Sequence, residues 1–128
     1  MNEPISIMMQ KLISTVDMDD SVEEVEAKLR INNVSAVPVI EGKTGAVIGI
    51  ISARDLLRFH AEKRDPAALL AWEICSYRPI EVSSDTPVSE VAKLMVTHGM
   101  HHIVVTDNKL VKGIVSSFDF VKRFIHDD

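Results

Sequence analysis

Two short phrases in the 128-residue sequence place a serine three residues before an aspartate, each after a pair of apolar residues. They run Gly49-Ile50-Ile51-Ser52-Ala53-Arg54-Asp55 and Gly113-Ile114-Val115-Ser116-Ser117-Phe118-Asp119. Each phrase falls where a predicted strand gives way to a predicted helix. Free N–H groups at a helix start suit an anion such as phosphate, and a carboxylate beside them can accept hydrogen bonds from two ribose hydroxyls. The phrases therefore indicate a ligand with a sugar and a phosphate.

The same phrases have a second, purely structural interpretation. A serine at the N-cap with an acid three residues later is a capping-box-like start of a helix, and the acid suits the positive end of the helix dipole. The glycine that opens each phrase lets the strand backbone approach a neighbour or a ligand. One phrase alone leaves the cap and the binding site as alternatives.

The phrases belong to an internal repeat. At an offset of 66 positions (88 − 22) the repeat pairs Val16 with Val82, Asp19 with Asp85, Val22 with Val88, Glu24 with Glu90, Val25 with Val91 and Val39 with Val105. After the Gly42–Gly45 loop the offset becomes 64 (113 − 49), and the two phrases align. A repeated pattern of residue types with different structural roles indicates a duplicated structural unit.

Each copy predicts a β-α-β-β-α unit, so the predicted fold class is α+β. The predicted strands are residues 13–16, 36–40 and 46–51 in the first copy and residues 80–83, 102–106 and 110–115 in the second. The first helix is expected to start after Asp20 or Ser21 in one copy, and after Thr86 as N-cap with Pro87 as first helical residue in the other. It should end at Asn33 and at Gly99, because both residue types tolerate the left-handed conformation of a C-terminal cap.

A polar link of residues 58–72 joins the copies. Asp65-Pro66 predicts a short helix through Trp72, and residues 6–12 are expected to form a similar one before the first copy. The expected domains are residues 1–62, the first repeat with its N-terminal helix, and residues 63–128, the second repeat with the link helix.

This arrangement resembles the CBS domain pair, or Bateman module, over residues 8–124. The resemblance is carried by the two phrases in register and by Val37-Pro38-Val39. It implies two CBS units packed as a pseudo-two-fold pair, with clefts for an adenosine-containing ligand: AMP, ADP, ATP or an S-adenosyl compound. It also implies a homodimer formed through helix faces, and an unidentified protein that the module regulates.

The resemblance carries ligand-binding roles onto particular residues. Asp55 and Asp119 match the family's ribose-binding acids, and Ser52 and Ser116 match its junction hydroxyls. The base-contacting backbone falls on the first strand and on the start of the middle strand of each copy. The predicted ligand-binding residues are Ile13, Ser14, Ala36, Val37, Pro38, Ser52, Arg54 and Asp55 in the first copy, and Arg78, Pro79, Ile80, His101, His102, Ile103, Ser116, Ser117 and Asp119 in the second. Val104 stands where the first copy has Pro38, so the second cleft is expected to differ in shape.

Arginine and histidine residues near the phrases leave alternatives open. Arg54 and Arg78 can each bind phosphate bidentately or lie on the surface. His98, His101 and His102 could hold a metal only with convergent geometry and further support, and no metal is predicted. One of these histidines is instead expected to contact phosphate or base.

Composition excludes several classes of function. The formal net charge of −5 and the lack of a basic stripe disfavour a nucleic-acid binder. No apolar run is long enough to span a membrane and no signal peptide is recognisable, so a cytoplasmic location is expected. Cys75, the single cysteine, cannot form a CxxC site. Equivalent aspartates in two copies are unlike an acid/base pair, so no catalysis is predicted. The alternative is a dimerisation or protein-interaction module with no ligand.

Overall fold

The computed structural model describes residues 2–11 and 14–126. In chain order the elements are one 3-10 turn Ile5–Ile7, β1 Gln10–Lys11, β2 Val16–Asp17, α1 Val22–Asn32, β3 Ala36–Ile40, β4 Val47–Ser52, α2 Ala53–Ala61, α3 Ala71–Ile74, β5 Ser76–Tyr77, β6 Glu81–Val82, α4 Val88–His98, β7 His102–Asp107, β8 Leu110–Ser116 and α5 Ser117–His126. The α+β class and the repeated unit are confirmed. No described helix combines the length and apolar composition that crossing a bilayer requires.

Each compact unit of the structure contains one sequence repeat together with a segment from outside the repeats. One unit is Ile13–Pro79, called here the first-repeat unit, and the other joins Met1–Leu12 to Ile80–Asp128, called here the second-repeat unit. The link thus packs with the repeat that precedes it. The N-terminal segment packs with the repeat that is distant from it in sequence.

The first-repeat unit is built on a four-stranded sheet in the order β2-β3-β4-β5. β2 runs parallel to β3, whereas β3–β4 and β4–β5 are antiparallel. Because side chains alternate along a strand, β3 sends Val37 and Val39 into the core while Pro38 lies on the other face. The buried core cluster consists of Val16, Val25, Leu29, Val37, Val39, Ile51, Ala71 and Cys75.

The second-repeat unit has the equivalent sheet, β1-β8-β7-β6. β6 runs parallel to β7, whereas β7–β8 and β1–β8 are antiparallel. Its core cluster is Ile5, Val88, Val91, Met95, Ile103, Val105, Val115 and Phe120. Ile5 is the member contributed by the N-terminal segment, and it is fully buried.

The helix ends confirm most of the local predictions. Ser21 is the N-cap of α1, where its Oγ accepts a hydrogen bond from the Glu24 N–H at 3.1 Å. Asn33 and Gly99 end α1 and α4 in the left-handed conformation, with φ of 52° and 62°. The prediction of Thr86 as N-cap was wrong. α4 begins at Val88, so Pro87 is its N-cap residue, in the extended conformation.

The two predicted short helices also differ from the structure. In the link, helix forms only over α3, because the preceding backbone is used elsewhere: the Leu69 carbonyl accepts the Val22 N–H at 2.9 Å. Before the first repeat, a helix was expected over residues 6–12, of which Leu12 lies outside the described residues. Over the described part, a single 3-10 turn and β1 replace it. There the Glu3 carbonyl accepts the Val88 N–H at 2.8 Å. Each segment thus satisfies a free N–H at the start of a neighbouring helix, which needs an irregular backbone.

Candidate ligand-binding site

In the first repeat, the junction serine and aspartate form a tight local cap. Asp55 Oδ2 accepts hydrogen bonds from the Ser52 backbone N–H at 2.8 Å and from Ser52 Oγ at 3.0 Å. The Ala53 N–H, the first of α2, is donated to the carbonyl of Ser35 at 2.9 Å. The carboxylate is therefore held in one orientation, with Oδ2 turned toward the cap and Oδ1 directed elsewhere.

The second repeat has the same arrangement with a more buried carboxylate. Asp119 Oδ2 accepts the Ser116 N–H at 2.7 Å, and the Asp119 N–H is donated to Ser116 Oγ at 3.2 Å. The Ser117 N–H is donated to the carbonyl of His101 at 2.9 Å. Asp119 is only 8% exposed, whereas Asp55 is half-buried. The capping interpretation thus describes both junctions, and in each the first helical N–H is already paired.

The outer oxygen of each aspartate contacts a residue that the sequence did not single out. Ser76 Oγ donates to Asp55 Oδ1 at 3.2 Å, and Gln10 Nε2 donates to Asp119 Oδ1 at 3.1 Å. Lys122 Nζ also lies 3.6 Å from Asp119 Oδ1. Gln10 and Ser76 are equivalent in the repeat, since 76 − 10 = 66. Extending the repeat toward the N-terminus would have found this pair.

The glycines that open the two phrases serve the neighbouring strands. A Cβ on Gly49 would lie 2.7 Å from both Cys75 Sγ and the Ser76 carbonyl oxygen. A Cβ on Gly113 would lie 2.7 Å from the Gln10 carbonyl oxygen and from Met9 Sδ. The sequence left two roles open for these glycines, close approach to a neighbouring strand or to a ligand. The contacts at 2.7 Å explain the glycines by close approach of a neighbouring strand.

The start of each middle strand lies beside its junction. Ala36 pairs with Ser52 across β3 and β4, and His102 pairs with Ser116 across β7 and β8. The side chains of Val37 and Ile103 are buried in the two cores. Only the backbone of these two residues could therefore reach a ligand.

The other predicted site residues are less closely associated with the aspartates. Ser14 Oγ accepts a hydrogen bond from Asn32 Nδ2 at 2.9 Å, and the Ile80 carbonyl accepts the Val104 N–H at 3.0 Å. Within residues 2–11 and 14–126, neither Arg54 nor Arg78 forms an ion pair with Asp55 or Asp119. Four predicted residues lie outside these contacts: Pro38, which is buried; Pro79, which is half-buried; and Arg54 and Arg78, which are exposed. The backbone of His101 lies at the second junction, but the residue as a whole is exposed. Ile13 lies outside the described residues.

A separate open groove of about 500 Å³ lies between α1 and α2. A 2.9 Å contact between His60 Nε2 and Glu26 Oε2 crosses it. Its lining residues are Glu26, Leu29, Arg30, Asn33, Val34, Ser35, Ala53, Leu56, Leu57 and His60. None of the predicted ligand-binding residues is among them. Over the part of the chain that the structure describes, no three His, Cys, Asp or Glu side chains converge as metal ligands would.

Comparison with known proteins places both repeats in one family. A family model described as the CBS domain matches residues 5–62 and 71–126. The chain is 33% identical over 100 residues to the uncharacterized protein YlbB of Bacillus subtilis (strain 168), covering 78% of this chain and 68% of that protein. It is 30% identical over 115 residues to the inosine-5'-monophosphate dehydrogenase of Korarchaeum cryptofilum (strain OPF8), covering 89% of this chain but 23% of the enzyme.

A solved structure resembles most of the chain. The CBS domain pair of protein MJ0100, in complex with 5'-methylthioadenosine and S-adenosyl-L-methionine, is 25% identical with a TM-score of 0.82. The match covers 94% of this chain and 98% of that one. Both ligands of that protein contain adenosine.

Proposed function

The chain belongs to the CBS domain family, and we propose that it is a non-catalytic regulatory module that binds an adenosine-containing ligand at its strand-to-helix junctions. The ligand is an adenine nucleotide or an S-adenosyl compound. In this proposal the module acts in the cytoplasm, forms a homodimer and regulates a protein that the chain itself does not identify.

The observation that carries the proposal is the Asp55 carboxylate. Two hydrogen bonds from Ser52 fix Oδ2, so the carboxylate is oriented before any ligand arrives. Its other oxygen accepts a hydrogen bond from the hydroxyl of Ser76, an exposed residue with a short side chain. That hydroxyl can rotate toward water. A ribose hydroxyl can then donate to Oδ1 with little rearrangement.

The surroundings of Asp55 favour adenosine over a bare sugar. Ala36 begins the strand that pairs with the junction, so its backbone groups lie at the same end of the sheet as Ser52. Backbone hydrogen bonds with apolar contact are the usual way in which a pocket recognises a flat base. Arg54, exposed in the first turn of α2, suits the phosphate of a nucleotide. The adenosine ligands of the MJ0100 pair support the same class.

Calorimetric titration of the full chain with AMP, ATP and S-adenosyl-L-methionine, in separate experiments, tests the proposal. We expect at least one of them to bind, and Asp55→Asn to weaken that binding at least about tenfold, because a charged acceptor is lost. Glu73→Gln is the matched control. Glu73 Oε2 accepts the Leu70 N–H at 2.9 Å and so caps α3 as Asp55 caps α2. Equal losses of ligand affinity in both variants would show that Asp55 has no specific role in binding.

A dimerisation module without a ligand is the second candidate, favoured by the apolar surface of α5. Phe118, Val121, Phe124 and Ile125 are each between 46% and 65% exposed, which is unusual for large apolar side chains on one helix. Light scattering of the full chain and of Phe124→Asp tests it. A dimer that the substitution dissociates, in a protein to which none of the three ligands binds, would favour this candidate over the regulatory one.

A further inference from the structure

The two junction aspartates differ in what covers them. Ser76 contacts Asp55 from an exposed position with a short side chain. Gln10 contacts Asp119 with a long side chain, and Lys122 adds a positive charge at 3.6 Å from the same oxygen. These contacts accompany the difference in burial, since Asp119 is 8% exposed.

We propose that Gln10 is a built-in competitor for the ribose at Asp119, so that the ligand binds first at Asp55 and reaches Asp119 only when β1 moves aside. The inference rests on the proposed function and adds an order of binding and a regulating residue. The amide of Gln10 donates to Oδ1, the oxygen that a ribose hydroxyl needs. The ligand and the glutamine therefore compete for one acceptor.

The backbone holds Gln10 in this place. β1 pairs with β8 at Gln10–Ile114 and Lys11–Gly113. A Cβ on residue 113 would lie 2.7 Å from the Gln10 carbonyl oxygen, which is too close. Because residue 113 is glycine, the backbone of Gln10 can pack against β8. The side chain therefore reaches Asp119 from a defined strand position.

The same strand is suited to opening. β1 is only two residues long, lies at the edge of its sheet, and both of its residues are exposed. Short exposed edges of this kind open locally at a small fraction of the global unfolding free energy. By linkage, a ligand bound at Asp119 would shift the equilibrium toward open β1 by the same factor by which opening of β1 raises the affinity for the ligand. Occupancy of the second site would thus change the order of the N-terminal segment.

The stoichiometry of binding tests the inference. The full chain and Gln10→Ala are titrated by calorimetry with whichever of AMP, ATP or S-adenosyl-L-methionine binds the wild type. We expect one strong site in the wild type. In Gln10→Ala the second site should strengthen about five- to tenfold, because one hydrogen-bond competitor is lost. Adding Asp119→Asn to Gln10→Ala should return the protein to one site.

Lys11→Ala is the matched control, because it alters the next residue of the same strand and leaves Gln10 in place. Its binding should equal that of the wild type. Amide hydrogen exchange gives a second readout: saturating ligand should speed exchange in residues 9–11 of the wild type, where the ligand must displace Gln10 from Asp119, but not in Asp119→Asn. One ligand at Asp55 with no change in Gln10→Ala would overturn the inference and leave the proposed function standing. Absence of binding in every variant would overturn both.

Discussion

Nε2 of Gln10 lies 3.1 Å from Oδ1 of Asp119, although 109 residues separate them in the chain. This contact joins the N-terminal segment to the second repeat, next to the junction that is proposed to bind a ribose. The equivalent contact in the other unit, Ser76 to Asp55, is made by β5, which follows the link. The two segments outside the repeats thus set the environment of both carboxylates.

The buried side chain of Ile5 is expected to stabilise the second-repeat unit. Ile5 is fully buried in that core, whereas Ile7 is 55% exposed. Ile5→Ala should lower the free energy of unfolding by about 2–5 kcal/mol, and Ile7→Ala should change it by less than about 0.5 kcal/mol, as measured by urea denaturation. Hydrogen exchange should show the loss of protection in β7 and β8. A loss confined to β3 and β4 would contradict the assignment of the N-terminal segment.

The strand glycines are expected to resist substitution because of neighbouring backbone. Gly49→Ala and Gly113→Ala each place a Cβ against a carbonyl oxygen at 2.7 Å, and each should cost about 1–3 kcal/mol of stability. The control is Gly42→Ala, whose Cβ meets only the carboxylate end of Asp17, a side chain that can rotate away. Thermal denaturation of the three variants measures the difference. Equal stability of all three would show that the strands can separate without cost.

The residues that end α1 and α4 in the left-handed conformation allow a test of backbone conformation alone. Gly99 has φ of 62°, and an added Cβ there would meet nothing within 4 Å. Gly99→Ala should therefore destabilise the chain by about 1–2 kcal/mol through conformation only. Asn33 has φ of 52° in the equivalent place, so Asn33→Gly should leave stability unchanged or raise it slightly. Denaturant midpoints report both effects, and a loss in both variants would argue against a conformational cause.

The thiol of Cys75 is expected to react only when β4 and β5 separate. Burial raises the pKa of the Cys75 thiol, and the residue is 8% exposed. Because the thiolate is the reactive form, Ellman's reagent at pH 8 should react slowly with the folded chain and rapidly in urea. Gly49→Ala, which presses on Sγ, should speed the reaction under native conditions. A wild-type rate equal to that in urea would show that this edge of the sheet is open.

Much of the fold could be predicted from local pattern. The β-α-β-β-α unit, both hairpins and the helix ends at Asn33 and Gly99 follow from the periodicity of apolar residues and from the conformations that single residue types allow. The Thr86 cap and the link helix were wrong, because in those places the backbone bonds to distant segments. The roles proposed for the junction residues remain predictions.

The sequence by itself determined the duplication, the elements of each copy and the serine–aspartate pairs, because these depend on residues close together in the chain. Only the tertiary structure decided which segment completes which unit, that Gly49 and Gly113 admit a neighbouring strand, and that Gln10 covers Asp119. Those features depend on contacts between residues far apart in sequence, and no local propensity encodes which edge strand will pair with which sheet.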